Sequence, residues 1–290
     1  MSKILILGAN GMLGGSILRY FSTKTNHEVL GSVRSEVAYV SIEKLGFRNI
    51  LKNIEFDKDS TLKNILNHYQ PNYVLNCIGI IKQQNHAKDP LHSIKINSLL
   101  PHRIAKLCRD INAKLIHFST DCVFSGKKGM YLENDVPDAI DLYGRSKLLG
   151  EVNYDNHLTL RTSIIGHELK KSLSLVDWYL NQKNKVSGYS RAIFSGMPTI
   201  YLAEFLDKFI IQKRDISGLY HLSVDPIDKY SLLNLIKMNY NFNIHIDNNP
   251  NIVINRSLNS DKLRKAVGFT PPNWDFLIET MSNEYRKYFK

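Results

Sequence analysis

The 290 residues carry 38 Lys and Arg against 27 Asp and Glu, a net charge of +11, with 43% hydrophobic and 22% charged residues. These proportions describe a globular chain able to bury a full core and exclude a fibrous or disordered polypeptide. The basic residues are scattered, Lys127-Lys128 and Lys170-Lys171 being the adjacent pairs that stand out, so a nucleic-acid stripe is excluded while anionic small molecules would be attracted.

The first half alternates short β-rich runs with helical patterns, as a parallel sheet buried on both faces requires. Strands are expected at Lys3 to Leu7, Glu28 to Ser32, Tyr73 to Cys77 and Lys114 to Phe118, and helices at Leu13 to Ser22, Thr61 to Tyr69, Leu91 to Arg109 and Leu142 to Val152. Beyond residue 165 the rhythm loosens. Helices are read at Leu173 to Gln182, Thr199 to Gln212 and Lys229 to Tyr240, a strand at Gly218 to Leu222, and an extended piece around Ile252 to Ile254. A short helix from Ser260, a stop at Pro271-Pro272 and a final helix to Tyr288 complete the chain. The pattern predicts an α/β fold, a doubly wound parallel-sheet Rossmann domain with a smaller α/β substrate-binding lobe. The dinucleotide-binding domain is expected over 1–165 plus about 196–225, and the lobe over about 166–195 plus 226–290.

Three cysteines, Cys77, Cys108 and Cys122, are too few for a disulfide framework or a zinc site, so a reducing compartment and no metal are expected. The opening run Ile4 to Leu7 is too short for a signal peptide, and no run approaches the roughly 18 apolar residues of a membrane span. A cytoplasmic location, with neither membrane nor nucleic acid as partner, follows as an expectation.

The first strand feeds Gly8-Ala9-Asn10-Gly11-Met12-Leu13-Gly14 and then a helix. Glycines there permit a tight turn, let backbone amides approach a diphosphate and let the helix pack on the sheet, while the helix N-terminus supplies partial positive charge. Where an NAD site places a carboxylate after the second strand, this chain has Arg34, which suits a 2′-phosphate and hence NADPH. Asp57 follows another strand ending and is a candidate for the adenine amino group. Small residues in Asn76-Cys77-Ile78-Gly79 would let a cofactor lie across the sheet edge, and Ser119, Thr120 and Asp121 stand at the end of the fifth strand, where ligands bind in such sheets. A hydroxyl there can donate to a carbonyl oxygen as charge develops on it. Tyr143 precedes Lys147 by four residues on a predicted helix, which puts a phenol and an ammonium on one face and equips the pair to move a proton at neutral pH.

The glycine loop, Asn76 to Gly79, Asn97, the stretch from Phe118 to Gly126, Tyr143-x-x-x-Lys147 and Leu160 to Ser163 together resemble the extended short-chain dehydrogenase/reductases. Within them the chain is most similar to the dTDP-4-dehydrorhamnose reductases and their relatives acting on other nucleotide-linked 4-keto-6-deoxy sugars, densely from residue 3 to about 166 and thinly beyond. The resemblance implies Tyr143 as general acid, Lys147 on the nicotinamide ribose and Thr120 on the sugar carbonyl, with Asn97 fixing the helix that supports Lys147. Ser119 would join the cofactor site, and Ile164 ends a segment that passes the nicotinamide carboxamide. Arg256 falls near the nucleotide diphosphate. Cys122, where these reductases usually have tyrosine, and the lead-in at Arg191 are departures close to the sugar by analogy, and leave the choice between dTDP-linked and UDP-linked N-acetylated sugars open. The implied partner is a nucleotide-sugar substrate in surface-polysaccharide synthesis, with the oligomeric state open, a homodimer included. An epimerase or dehydratase holding NAD, and a catalytically silent NADP-binding regulatory subunit, are the alternatives.

Overall fold

The computed structural model describes residues 1–56, 59–82, 88–169, 174–212 and 216–290. The elements in chain order are β1 (Lys3–Leu7), α1 (Met12–Lys24), β2 (Glu28–Ser32), α2 (Glu36–Glu43), β3 (Ile50–Leu51), α3 (Asp59–Tyr69), β4 (Tyr73–Asn76), α4 (Pro90–Ser93), α5 (Leu100–Asp110), β5 (Lys114–Thr120) and α6 (Leu142–Leu149). They continue with β6 (Leu158–Thr162), β7 (Ile164–Ile165), α7 (Leu175–Leu180), β8 (Val186–Tyr189), β9 (Ala192–Phe194), β10 (Met197–Pro198), α8 (Thr199–Phe205) and β11 (Gly218–His221). The last are β12 (Ile227–Asp228), α9 (Lys229–Asn239), β13 (Ile246–Asn249), β14 (Ile254–Asn255), α10 (Asp261–Val267) and α11 (Trp274–Tyr288).

Seven strands form one sheet in the order β3-β2-β1-β4-β5-β6-β11, and β1 pairs in parallel with both β2 and β4, as β4 does with β5. The order runs outward in both directions from β1 and β4, so the crevice at their carboxyl ends is the topological switch point of a doubly wound sheet. Continuous apolar runs such as Ile4 to Leu7 belong in this sheet because both its faces are covered. Leu5, Leu7, Val74 and Leu115 pack under Leu62 and Leu66 of α3 and Leu100 and Ile104 of α5 in one buried cluster.

The chain divides into two compact units. The first, Met1–Thr120 with Ile140–Arg161 and Arg214–Tyr220, is built on this sheet. The second comprises Asp121–Ala139, Thr162–Lys213 and His221–Lys290, and holds three small sheets, β10-β7, β12-β9-β14 and β13-β8. Its core gathers Ile165, Val176, Tyr179, Phe194, Leu232, Ile236, Ile278 and Met281. Asp228 caps α9 by accepting from the Ser231 amide at 2.8 Å, and Asn273 caps α11 by accepting from the Phe276 amide at 3.0 Å.

Most expected elements stand close to their predicted limits, with instructive differences. The helix expected from Leu91 to Arg109 is interrupted: Ile94–Leu99 forms a π-helical turn between α4 and α5. Pro101 explains it, because its ring removes one amide donor and crowds the carbonyl of Asn97 four residues earlier, so the Leu100 amide bonds Lys95 instead. The helix expected to reach Val152 stops at Leu149 before Gly150. The helix over Thr199 to Gln212 ends in a second π turn at Leu206–Ile211. Residue 173, the expected start of α7, lies outside the described residues. The extended piece placed at Ile252 to Ile254 forms its strand two residues later. Among the described residues no helix is long and apolar enough to cross a membrane.

Candidate active site

In the first unit, Gly8 turns the chain out of β1 with φ +82°, and Gly11 caps α1 without any side-chain hydrogen bond, so the first amides of a 13-residue helix are left for an incoming acceptor. A Cβ at Gly14 would lie 2.3 Å from the Gly8 carbonyl oxygen, so only glycine lets α1 pack this tightly on the loop. Asn10 and Met12 are half-buried, Gly11 is exposed and Leu13 is buried beneath the loop. A cradle of backbone donors without side chains in the way fits a diphosphate.

Arg34, two residues past β2, is exposed and makes no ion pair or hydrogen bond among the described residues. The nearby Glu36 is engaged elsewhere, with Lys52 at 2.9 Å and the Asn53 side chain at 3.4 Å. Asp57 lies outside the described residues.

The parallel register sets Leu7, Asn76 and His117 in one row, at the carboxyl ends of β1 and β4 and midway along β5. Cys77, Ile78 and Gly79 leave β4 there, and burial pushes the Cys77 thiol up. Asn76 donates to His117 Nδ1 at 3.1 Å and accepts from the Ile78 amide at 3.2 Å. Burial above all, then the Lys147 charge, holds His117 neutral by lowering its pKa well below the usual value. Its Nε2 has no partner among the described residues.

Asp141 caps α6 through the Gly144 amide at 2.9 Å and also takes Lys82 Nζ at 2.9 Å. Tyr143 and Lys147 lie on this helix. The Lys147 side chain is buried and its ammonium donates to the Phe118 carbonyl at 2.7 Å, which ties α6 to the end of β5 two residues before Thr120. Desolvation lowers its pKa to about 8, opposed by the charge of Glu151. Lys82 sets its Nζ 5.6 Å from the centroid of the Tyr143 ring. Asn97, on the π turn, accepts from the Ile80 amide at 2.9 Å and donates to the Ile80 carbonyl and Ser146 Oγ, each at 3.1 Å. It thereby contacts the residue before Lys147 directly.

Thr120 is buried at the end of β5. The Ser119 hydroxyl, expected on the cofactor, donates to Glu151 at 2.6 Å, and Glu151 is held by a two-pronged pair with Arg161 at 2.8 Å. Such a fork fixes the orientation of the carboxylate. Sequence reading passed over Lys82, Ser146, Glu151 and the pair that Arg161 makes. Glu151 carried a signal, standing four residues after Lys147; Lys82 carried none, because only the tertiary fold brings it to Tyr143.

In the second unit, Asp121 and Cys122 open a short 3-10 turn that continues the chain from Thr120. Ile164 stands on β7, paired with Met197. Arg191 is exposed just before β9, while Arg256 donates through Nε to the Phe124 carbonyl at 2.8 Å. Lys229, absent from the sequence reading, sets its ammonium 4.2 Å from the Phe194 ring centroid and lies within electrostatic reach of Asp121 and Cys122. Among the described residues no cluster of His, Cys, Asp or Glu is placed to hold a metal ion.

The strand order and the glycine turn at its switch point define a Rossmann-type α/β protein. The chain belongs to the family described as RmlD substrate binding domain, whose model matches residues 2–287. It is 33% identical over 166 residues to the probable low-salt glycan biosynthesis reductase Agl14 of Haloferax volcanii; the match spans 55% of this chain and 52%, about half, of that protein. It is 24% identical to methionine adenosyltransferase 2 subunit beta of Xenopus laevis over 79% of this chain and 70% of that one. Its fold is similar, with a TM-score of 0.78 and 20% identity, to dTDP-4-dehydrorhamnose reductase of Bacillus anthracis in complex with NADP, covering 98% of this chain and 99% of that one.

Proposed function

We propose that the chain is an NADPH-dependent reductase of the C4 keto group of a nucleotide-activated 6-deoxy sugar, dTDP-4-dehydrorhamnose or a related UDP-linked N-acetylated sugar, in cytoplasmic synthesis of surface-polysaccharide precursors. Membership of the family and the reductases among its relatives support the class. The observation that carries the reading is the buried Lys147 ammonium bound to the Phe118 carbonyl at 2.7 Å, because it ties the helix of Tyr143 to the strand end of Thr120. Bound NADPH would supply a hydride to C4.

The chain's own part is proton supply and positioning. Tyr143 donates its hydroxyl proton to the C4 oxygen as negative charge develops, and Thr120 hydrogen-bonds the same oxygen. Lys147 holds the nicotinamide ribose, with Asn97 steadying α6 through Ser146. The amides of Gly8 to Gly14 take the diphosphate, Arg34 the 2′-phosphate, and Cys77, Ile78, Gly79 and Ile164 line the cofactor. Asp121, Cys122, Arg191 and Arg256 take the nucleotide sugar. The dinucleotide-binding domain is assigned to 1–165 plus about 196–225 and the substrate-binding lobe to about 166–195 plus 226–290.

The test is loss of absorbance when the protein is mixed with NADPH or NADH and a panel of dTDP- and UDP-4-keto-6-deoxy sugars. Oxidation of NADPH in preference to NADH by one of them is expected. Tyr143→Phe should lower turnover by roughly 10²–10⁴-fold, the usual worth of a general acid, with NADPH affinity intact. Near-normal turnover in that variant would sink the assignment. A second reading, a non-catalytic nucleotide-binding subunit, is favoured by the similarity to methionine adenosyltransferase 2 subunit beta over 79% of the chain; NADPH binding with no oxidation by any keto sugar would select it.

A further inference from the structure

Within the second unit one charged group is not accounted for by the roles above. Lys229 opens α9 directly after the capping residue Asp228, and pairing of Asp228 with Ile193 brings it alongside β9. Its ammonium lies over Phe194, 4.2 Å from the ring centroid, and that ring is itself buried against Trp274 at a ring distance of 5.7 Å. The ammonium has no hydrogen-bond acceptor and no ion-pair contact among the described residues. Burial lowers its pKa to about 8, opposed foremost by the charge of Asp121. An ammonium on an aromatic face, with no acceptor of its own chain in hydrogen-bond reach and within the field of the Asp121 carboxylate, has donors open to a ligand.

The Asp121 charge limits what that something can be. A phosphate or carboxylate brought to Lys229 would also feel the Asp121 charge and be repelled, whereas a neutral group that both accepts and donates suits the two together. We propose that Lys229 and Asp121 form a sugar-reading pair, the ammonium donating to an oxygen of the hexose while the carboxylate accepts from the same substituent. A ring hydroxyl or an acetamido group has this chemistry. The inference rests on the nucleotide-sugar reading above and adds to it a residue that positions substrate by direct contact.

The test is calorimetric binding of reduced dTDP-6-deoxyhexose, reduced UDP-N-acetyl-6-deoxyhexose, free dTDP and free UDP to the wild type, Lys229→Met and Lys229→Arg. Methionine keeps an unbranched apolar side chain of similar length and removes the charge and the donors. A charge-assisted hydrogen bond predicts sugar-nucleotide binding weaker by about 10- to 100-fold in Lys229→Met, with the free nucleotides, NADPH and the melting temperature unaffected and Lys229→Arg recovering much of the loss. KM should rise more than kcat falls. A penalty confined to the N-acetylated sugar points to the acetamido group, and one shared by both sugars to a hydroxyl; either supports the pair. Equal weakening of the free nucleotides would put the ammonium on phosphate and overturn the proposal, as would unchanged sugar binding, parallel loss of NADPH binding and melting temperature, or a wild type that binds no sugar nucleotide. A wild type that binds sugar nucleotides but oxidises no NADPH with their keto forms would overturn the reductase reading alone.

Discussion

Lys147 holds its charge against burial, and the consequence is measurable. With its pKa lowered to about 8, the ammonium is present below that pH and lost above it. If it carries the nicotinamide ribose, NADPH affinity should be steady below pH 8 and then fall with rising pH, approaching tenfold per unit for a group needed in its charged form. Fluorescence titration of NADPH across roughly pH 7 to 9 checks this, with Lys147→Arg as control, since its guanidinium stays charged throughout and should flatten the profile. A flat wild-type profile would remove the ribose role. Arg34 illustrates a different residue-scale point: nearness in sequence to Glu36 did not become a contact, because Glu36 reaches Lys52.

At the scale of elements, the meeting of α6 with the π turn is decided by two residues of no chemical reactivity. Pro101 displaces the helical bonding that would have used the Asn97 carbonyl, and that carbonyl then faces Gly150, where a Cβ would lie 1.9 Å from it. Gly150→Ala must therefore push α6 away from Asn97. A destabilisation of about 1–3 kcal/mol is expected for such overpacking, read as a lower urea midpoint, together with weakened NADPH binding as Lys147 moves off Phe118. A variant as stable as the wild type would show that the two segments separate freely.

The same junction marks where sequence reading succeeds and where it stops. Strand ends were legible because continuous apolar runs closed by glycine or small polar residues have few other uses, and the Tyr143 and Lys147 spacing already implied one helix face. The break at Ile94–Leu99 was not read, since apolar periodicity hardly registers one extra residue in a turn. Two-residue strands such as β3, β7 and β10 leave too short a pattern to find. The pairing of Arg161 with Glu151, and of Lys82 with the Tyr143 ring, depends on segments meeting in space.

For the whole molecule, a net charge of +11 with few adjacent basic residues gives a diffuse field instead of a directed patch. Both proposed ligands are polyanions, so raising ionic strength from about 0.05 to 0.5 M, which shortens the screening length severalfold, should raise KM for each while kcat holds. Steady-state kinetics over a salt series would show it, and a salt-independent KM would mean that the long-range field contributes nothing to capture.

Each of the two units is assembled from three separate stretches of chain. No contiguous cassette therefore encodes either one. A genetic exchange with a single crossover would divide at least one unit between parents, so recombination offers no easy route to a new sugar preference in a scaffold of this kind. Divergence is left to point changes, accumulated one at a time in a framework that must go on folding as a whole.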